Sequence, residues 1–152
     1  MSVVVDGLLV VLLVEDNHAD VSFFNEAVEA TTTFMTVHVV DDGGAAMQFL
    51  RRQASFADAP RPDVVVLDLN LPILRGDEVL AEMAADPQLQ TIPVVILSTV
   101  NSETQVCGVY PSGRCICFVK TADFSRLQDI VRQIASHATA VARSYSSWER
   151  QP

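Results

Sequence analysis

Val64-Val65-Val66-Leu67 is an unbroken apolar run with three β-branched residues, and an aspartate, Asp68, follows at once. Such a run shows no polar alternation, so it reads as a strand buried on both faces, as in a parallel sheet. Three other stretches share the pattern: Val10-Val11-Leu12-Leu13-Val14, Val94-Val95-Ile96-Leu97 and Cys115-Ile116-Cys117-Phe118-Val119. A fifth, Thr36-Val37-His38-Val39-Val40, is less apolar and suits an edge.

Helical spacing fills the intervals. Val21, Phe24 and Val28 share one helix face; Ala45, Ala46, Phe49 and Leu50 share another, opened by Asp41-Asp42-Gly43. Val79, Leu80 and Met83 mark a third helix that ends near Asp86-Pro87. Leu127, Ile130, Val131, Ile134, Ala138 and Val141 follow the i, i+3, i+4, i+7 rule, with Asp123 placed to cap the helix start. Asn101 to Tyr110 fits a helix poorly, because Thr104, Val106, Gly108 and Val109 are weak helix formers and Pro111 stops it. The order βαβαβαβαβα predicts an α/β fold: a doubly wound, five-stranded parallel sheet with right-handed crossovers and helices on both faces. Ala54 to Pro62 reads as a polar loop. Residues 143–152 read as a C-terminal tail rather than a second domain, so 1–152 is expected to be one domain with its core over about 8–141.

Composition supports one globular unit. The chain has 152 residues, 49% hydrophobic and only 19% charged, which argues against disorder. Net charge is −9, and the basic residues are nine arginines and a single lysine, Lys120. That balance argues against nucleic-acid binding. No apolar run approaches the ~20 residues that span a bilayer. The N-terminus lacks a basic segment ahead of its apolar residues, so a signal peptide is not expected. The expected location is the cytoplasm. Cys107, Cys115 and Cys117 have no zinc spacing, and in a reducing cytosol they are expected to act as small hydrophobes.

In a parallel α/β sheet, ligands bind where the strands end. Glu15 and Asp16 follow the first strand, Asp68 the third, Ser98 and Thr99 the fourth, and Lys120 the fifth. Each alone reads as a turn former, a helix cap or a solvated side chain. Together they bring three carboxylates, a hydroxyl pair and the only ammonium to one rim. Three carboxylates repel one another and call for a cation, and an all-oxygen set suits Mg2+. A divalent ion beside a carboxylate, faced by a hydroxyl and an ammonium, fits a phosphoryl group landing on that carboxylate.

With those residues in view the chain resembles the receiver domain of bacterial two-component response regulators. The resemblance is carried by Val14-Glu15-Asp16-Asn17, Leu67-Asp68-Leu69-Asn70-Leu71-Pro72 with Gly76, Ile92-Pro93 through Ser98-Thr99, and Phe118-Val119-Lys120. It covers about residues 8–141. Asp68 to Ser98 is 30 positions and Ser98 to Lys120 is 22, as in the family, whereas the 52 from Asp16 to Asp68 reflect an expanded Arg51–Pro62 stretch. The resemblance implies the flavodoxin-like strand order 2-1-3-4-5. It implies Asp68 as phosphoacceptor for a sensor histidine kinase, and Mg2+ held by Glu15, Asp16, Asp68 and the Asn70 backbone carbonyl. Ser98 would be the switch hydroxyl, beside Thr99, and Lys120 the phosphate contact. The expanded loop and the lack of an output domain look similar to stand-alone receivers partnered with phytochrome-type kinases, which pair through the fourth helix, fifth strand and fifth helix. A homodimer is therefore implied, acting by protein contacts rather than as a turnover enzyme.

Three departures from the family bear on the switch. Thr121 follows Lys120 where the family has proline, so a trans peptide is expected, a non-proline cis bond costing ~2.5–4 kcal/mol. Cys117 replaces the usual aromatic, with Phe118 pointing to the other face. Gly108 and Pro111 weaken the fourth helix and leave its surface expected to be mobile. These departures keep open a phosphorylation-independent docking module. A magnesium-dependent phosphohydrolase would want an aspartate where Asn70 stands. His18 and His38 read as surface or structural residues. Tyr145 and Trp148, in the tail, suit a partner surface.

Overall fold

A computed structural model describes residues 8–99 and 106–149. The strands are β1 (Leu9–Val14), β2 (Met35–Val40), β3 (Val64–Leu67), β4 (Val94–Ser98) and β5 (Cys115–Val119). They form one parallel sheet in the order β2-β1-β3-β4-β5. The helices are α1 (His18–Ala30), α2 (Gly43–Arg51), α3 (Gly76–Ala85) and α4 (Phe124–Glu149).

Strand alternation sorts the core into two halves. Leu12, Val14, Val65, Leu67, Val94 and Ile96 pack with Phe49 and Leu50 of α2 and Val79, Leu80 and Met83 of α3. The alternate residues Val11, Leu13, Val64, Val66, Val95 and Leu97 pack with Phe24 and Ala27 of α1 and Leu127, Ile130, Val131 and Ile134 of α4. This two-sided burial is why the central strands carry no polar positions. The helix starts follow local chemistry. Asn17 Oδ1 accepts from the Asp20 N–H, Asp42 Oδ1 from the Ala45 N–H and Asp123 Oδ1 from the Arg126 N–H.

Between β4 and β5, residues 106–109 form a 3-10 turn. The rest of the expected fourth helix lies outside the described residues. Tyr110 fixes the return to β5: it is buried, and its hydroxyl lies 2.9 Å from the Leu89 carbonyl and 2.7 Å from that of Ile92.

Two expectations are corrected. Residues 143–149, read as part of a tail, continue α4, which is 26 residues long; the side chains of Tyr145 and Trp148 lie outside the description. The cysteines are not simply small hydrophobes: Cys107 and Cys115 are joined as a disulfide, with the Cys117 Sγ 3.1 Å from that of Cys107. The Ala54–Pro62 loop includes a 3-10 turn at Ala54–Phe56, and Phe56 packs against Phe49 at 5.4 Å. No described helix is long and apolar enough to cross a membrane.

Candidate functional site

Register brings the strand ends to one rim. Val14 pairs with Leu67, so Glu15 and Asp68 leave adjacent strands at the same level. The Asp68 N–H donates to the Val14 carbonyl at 3.1 Å, and the Glu15 N–H to that of Val40 at 3.0 Å. Ser98 pairs with Val119, and the Lys120 N–H donates to the Ser98 carbonyl at 2.7 Å.

Glu15, Asp16 and Asp68 each offer a carboxylate oxygen, all within 4.8 Å of one another. Glu15 and Asp68 are buried, at 5% side-chain exposure each, while Asp16 is exposed. The set is all oxygen, the chemistry of a hard divalent cation. Burial pushes the Glu15 carboxyl up to about 7, with the Asp68 charge adding to the rise and hydrogen bonds from Lys120 and Asn17 opposing it. A cation held at this point would offset the burial that disfavours the charged carboxylate.

The Lys120 ammonium lies 2.7 Å from Glu15 Oε1, 2.8 Å from Asp20 Oδ2 and 3.2 Å from Asp68 Oδ2. Burial opposes its charge, but the bonds to Asp20 and Glu15 and the charges of Asp68 and Glu15 outweigh that and hold it above the usual lysine range. The Ser98 Oγ is buried with no hydrogen-bond partner among the described residues. Asn70 is exposed, and its N–H donates to Asp68 Oδ1 at 3.2 Å. Gly76 sits against the back of the site, where a Cβ would run into the Asp68 carbonyl and Leu69 Cα.

Five of the residues read from the strand ends therefore converge: Glu15, Asp16, Asp68, Ser98 and Lys120. Thr99 is exposed on the bend just past β4. Every described peptide bond is trans, Lys120–Thr121 included. Cys117 packs toward the α2–α3 side and Phe118 toward the α1–α4 side, as alternation requires. His18 is exposed at the start of α1, and His38 stacks near Phe49 at 5.6 Å. Asp20 was not anticipated. It lies on α1 rather than at a strand end, and its only sequence signal is its position four residues, about one helical turn, beyond Asp16.

Residues 11–132 match the response regulator receiver domain. Over 127 residues the chain is 39% identical to "Response regulator Rcp1" of Synechocystis sp., spanning 84% of this chain and 86% of that protein. Two solved structures are similar. The phosphorylated cyanobacterial phytochrome response regulator RcpA shares 42% identity and a TM-score of 0.72, covering 83% of this chain and 90% of its own. The Mn(2+)-bound form of response regulator Rcp1 shares 36% identity and a TM-score of 0.72, covering 80% and 91%.

Proposed function

The chain belongs to the response regulator receiver domain family, and we propose that within it Asp68 is the residue that accepts a phosphoryl group from a phytochrome-type sensor histidine kinase. The observation that carries this reading is the convergence of Asp68, two further carboxylates and the chain's only lysine at one strand-end rim.

The Asp68 carboxylate oxygen forms the new bond to phosphorus as the P–N bond to the donor histidine breaks, and the electron pair of that bond stays on the imidazole nitrogen. Lys120, already 3.2 Å from Asp68, neutralises the arriving phosphoryl oxygens. Ser98, whose hydroxyl has no partner among the described residues, offers it to one of those oxygens, and Thr99 follows on the exposed bend. Glu15, Asp16, Asp68 and the Asn70 carbonyl would hold a divalent cation, for which we propose Mg2+, and it would supply the remaining positive charge the transferring group needs. The phosphorylated state is relayed by protein contacts, and the chain acts as a switch rather than a turnover enzyme. Exposed Val109, before β5, and exposed Val119, at its end, favour pairing of two copies through this side of the sheet.

Phosphate mimicry tests the reading. With Mg2+ and a beryllofluoride-type mimic, the melting temperature of the wild type is expected to rise by several degrees, and that of Asp68→Asn to stay unchanged. A wild type that gains nothing supports instead the phosphorylation-independent docking module, the reading that the Cys117 and Thr121 departures favour.

A further inference from the structure

Lys120 and the candidate cation compete for the same carboxylates. The ammonium contacts Glu15, Asp68 and Asp20, whereas the oxygens grouped for a metal come from Glu15, Asp16 and Asp68. Two of the three lysine partners thus belong to both sets. Asp20 alone belongs to the lysine.

A divalent ion drawing on Glu15 and Asp68 takes those partners from the ammonium. Lys120 is only 17% exposed, so a displaced ammonium cannot regain a full water shell where it stands, and it needs a counter-charge. Asp20 reaches in from α1 at 2.8 Å, is 41% exposed, and is not required by the cation. We propose that Asp20 is a positioning residue: it holds the Lys120 ammonium when a cation occupies Glu15 and Asp68, and so lowers the cost of loading the site. The same contact keeps the ammonium beside Asp68, ready for the phosphoryl oxygens. The inference rests on the cation reading of the acidic rim.

An ordinary role for Asp20 exists. It is an acidic residue in the first turn of α1, where the helix dipole favours negative charge. That role predicts a small loss of melting temperature in Asp20→Asn and nothing that depends on Lys120. The helix cap itself is spared, because Asn17 binds the Asp20 backbone N–H rather than its side chain.

The test is a double-mutant cycle read by calorimetric titration of Mg2+ into the metal-free chain. Asp20→Asn is expected to bind Mg2+ at least threefold more weakly than the wild type. In a Lys120→Gln background, where no ammonium competes, the same substitution is expected to change affinity by less than half that factor. An equal loss in both backgrounds means that Asp20 acts only by through-space charge, and no loss in either means that it acts only on the helix; each overturns the proposal. A wild type that binds no Mg2+ overturns the cation reading along with it.

Discussion

Ser98 carries the least settled atom of the site. Among the described residues its buried hydroxyl has no partner, and such a group costs roughly 1–3 kcal/mol relative to a satisfied one, so on those contacts its place at the end of β4 runs against stability alone. Ser98→Ala is therefore expected to leave stability unchanged or raise it by about 1 kcal/mol in urea unfolding, while cutting the thermal gain from Mg2+ and beryllofluoride by half or more. A destabilised variant with the full gain would contradict the switch role. At this scale the strand-end reading was productive because a carboxylate, hydroxyl or ammonium directly after a buried strand has its position set by the sheet. It was blind to Asp20 because a helix residue reaches the rim by the angle at which α1 packs, and no local pattern encodes that angle. The cysteine pairing is hidden from the sequence for a similar reason. Their spacing leaves pairing open, and it is the turn over residues 106–109, with Tyr110 anchored beneath it, that brings Cys107 back to Cys115.

Among the elements, α4 shows what periodicity captures. Leu127 through Val141 marks the face that meets the sheet, and there the structure agrees. Beyond Val141, Ala142, Arg143 and Ser144 are exposed, so no apolar stripe announces that the helix continues to Glu149. Within α4, His137 is half-buried with Nε2 3.1 Å from the Arg114 carbonyl. Burial holds its proton affinity below the usual histidine range, although contacts with the Arg114 and Val94 backbone pull the other way. The unfolded chain therefore takes up this proton first, and the histidine's contribution to stability, present above about pH 6.5, is lost as pH falls below it. Glu15 has the opposite sign in the metal-free chain: its raised value gives a contribution present below about pH 4.5 and lost as pH rises through about 7. Comparing wild type with His137→Gln separates the two. Between pH 7.5 and 5.5 the unfolding free energy of the wild type is expected to fall relative to that of the variant, by up to about 1.4 kcal/mol per pH unit. Equal slopes would contradict the assignment.

For the whole molecule, the strands were legible one by one, but their lateral order was not: apolar runs state burial, not neighbours, and the order came from the resemblance. The same limit applies to assembly. Pairing through β5 is expected to give a particle of about twice 16.6 kDa by light scattering, and Val119→Arg to shift it toward the monomer. A wild-type monomer at every concentration would contradict it. Net charge −9 also has a local meaning now. Three of the 19 acids, Glu15, Asp20 and Asp68, surround the one lysine, and Asp16 joins Glu15 and Asp68 beside it, an excess of negative charge that a cation can offset before a phosphoryl group arrives. Phosphorylation at Asp68 is read by intact-mass measurement after incubation with a small acyl phosphate and Mg2+. One added phosphoryl mass is expected in the wild type, lost on chelating the metal and absent in Asp68→Asn. Phosphoryl uptake that persists in Asp68→Asn, or a wild type that never gains the mass, would contradict it.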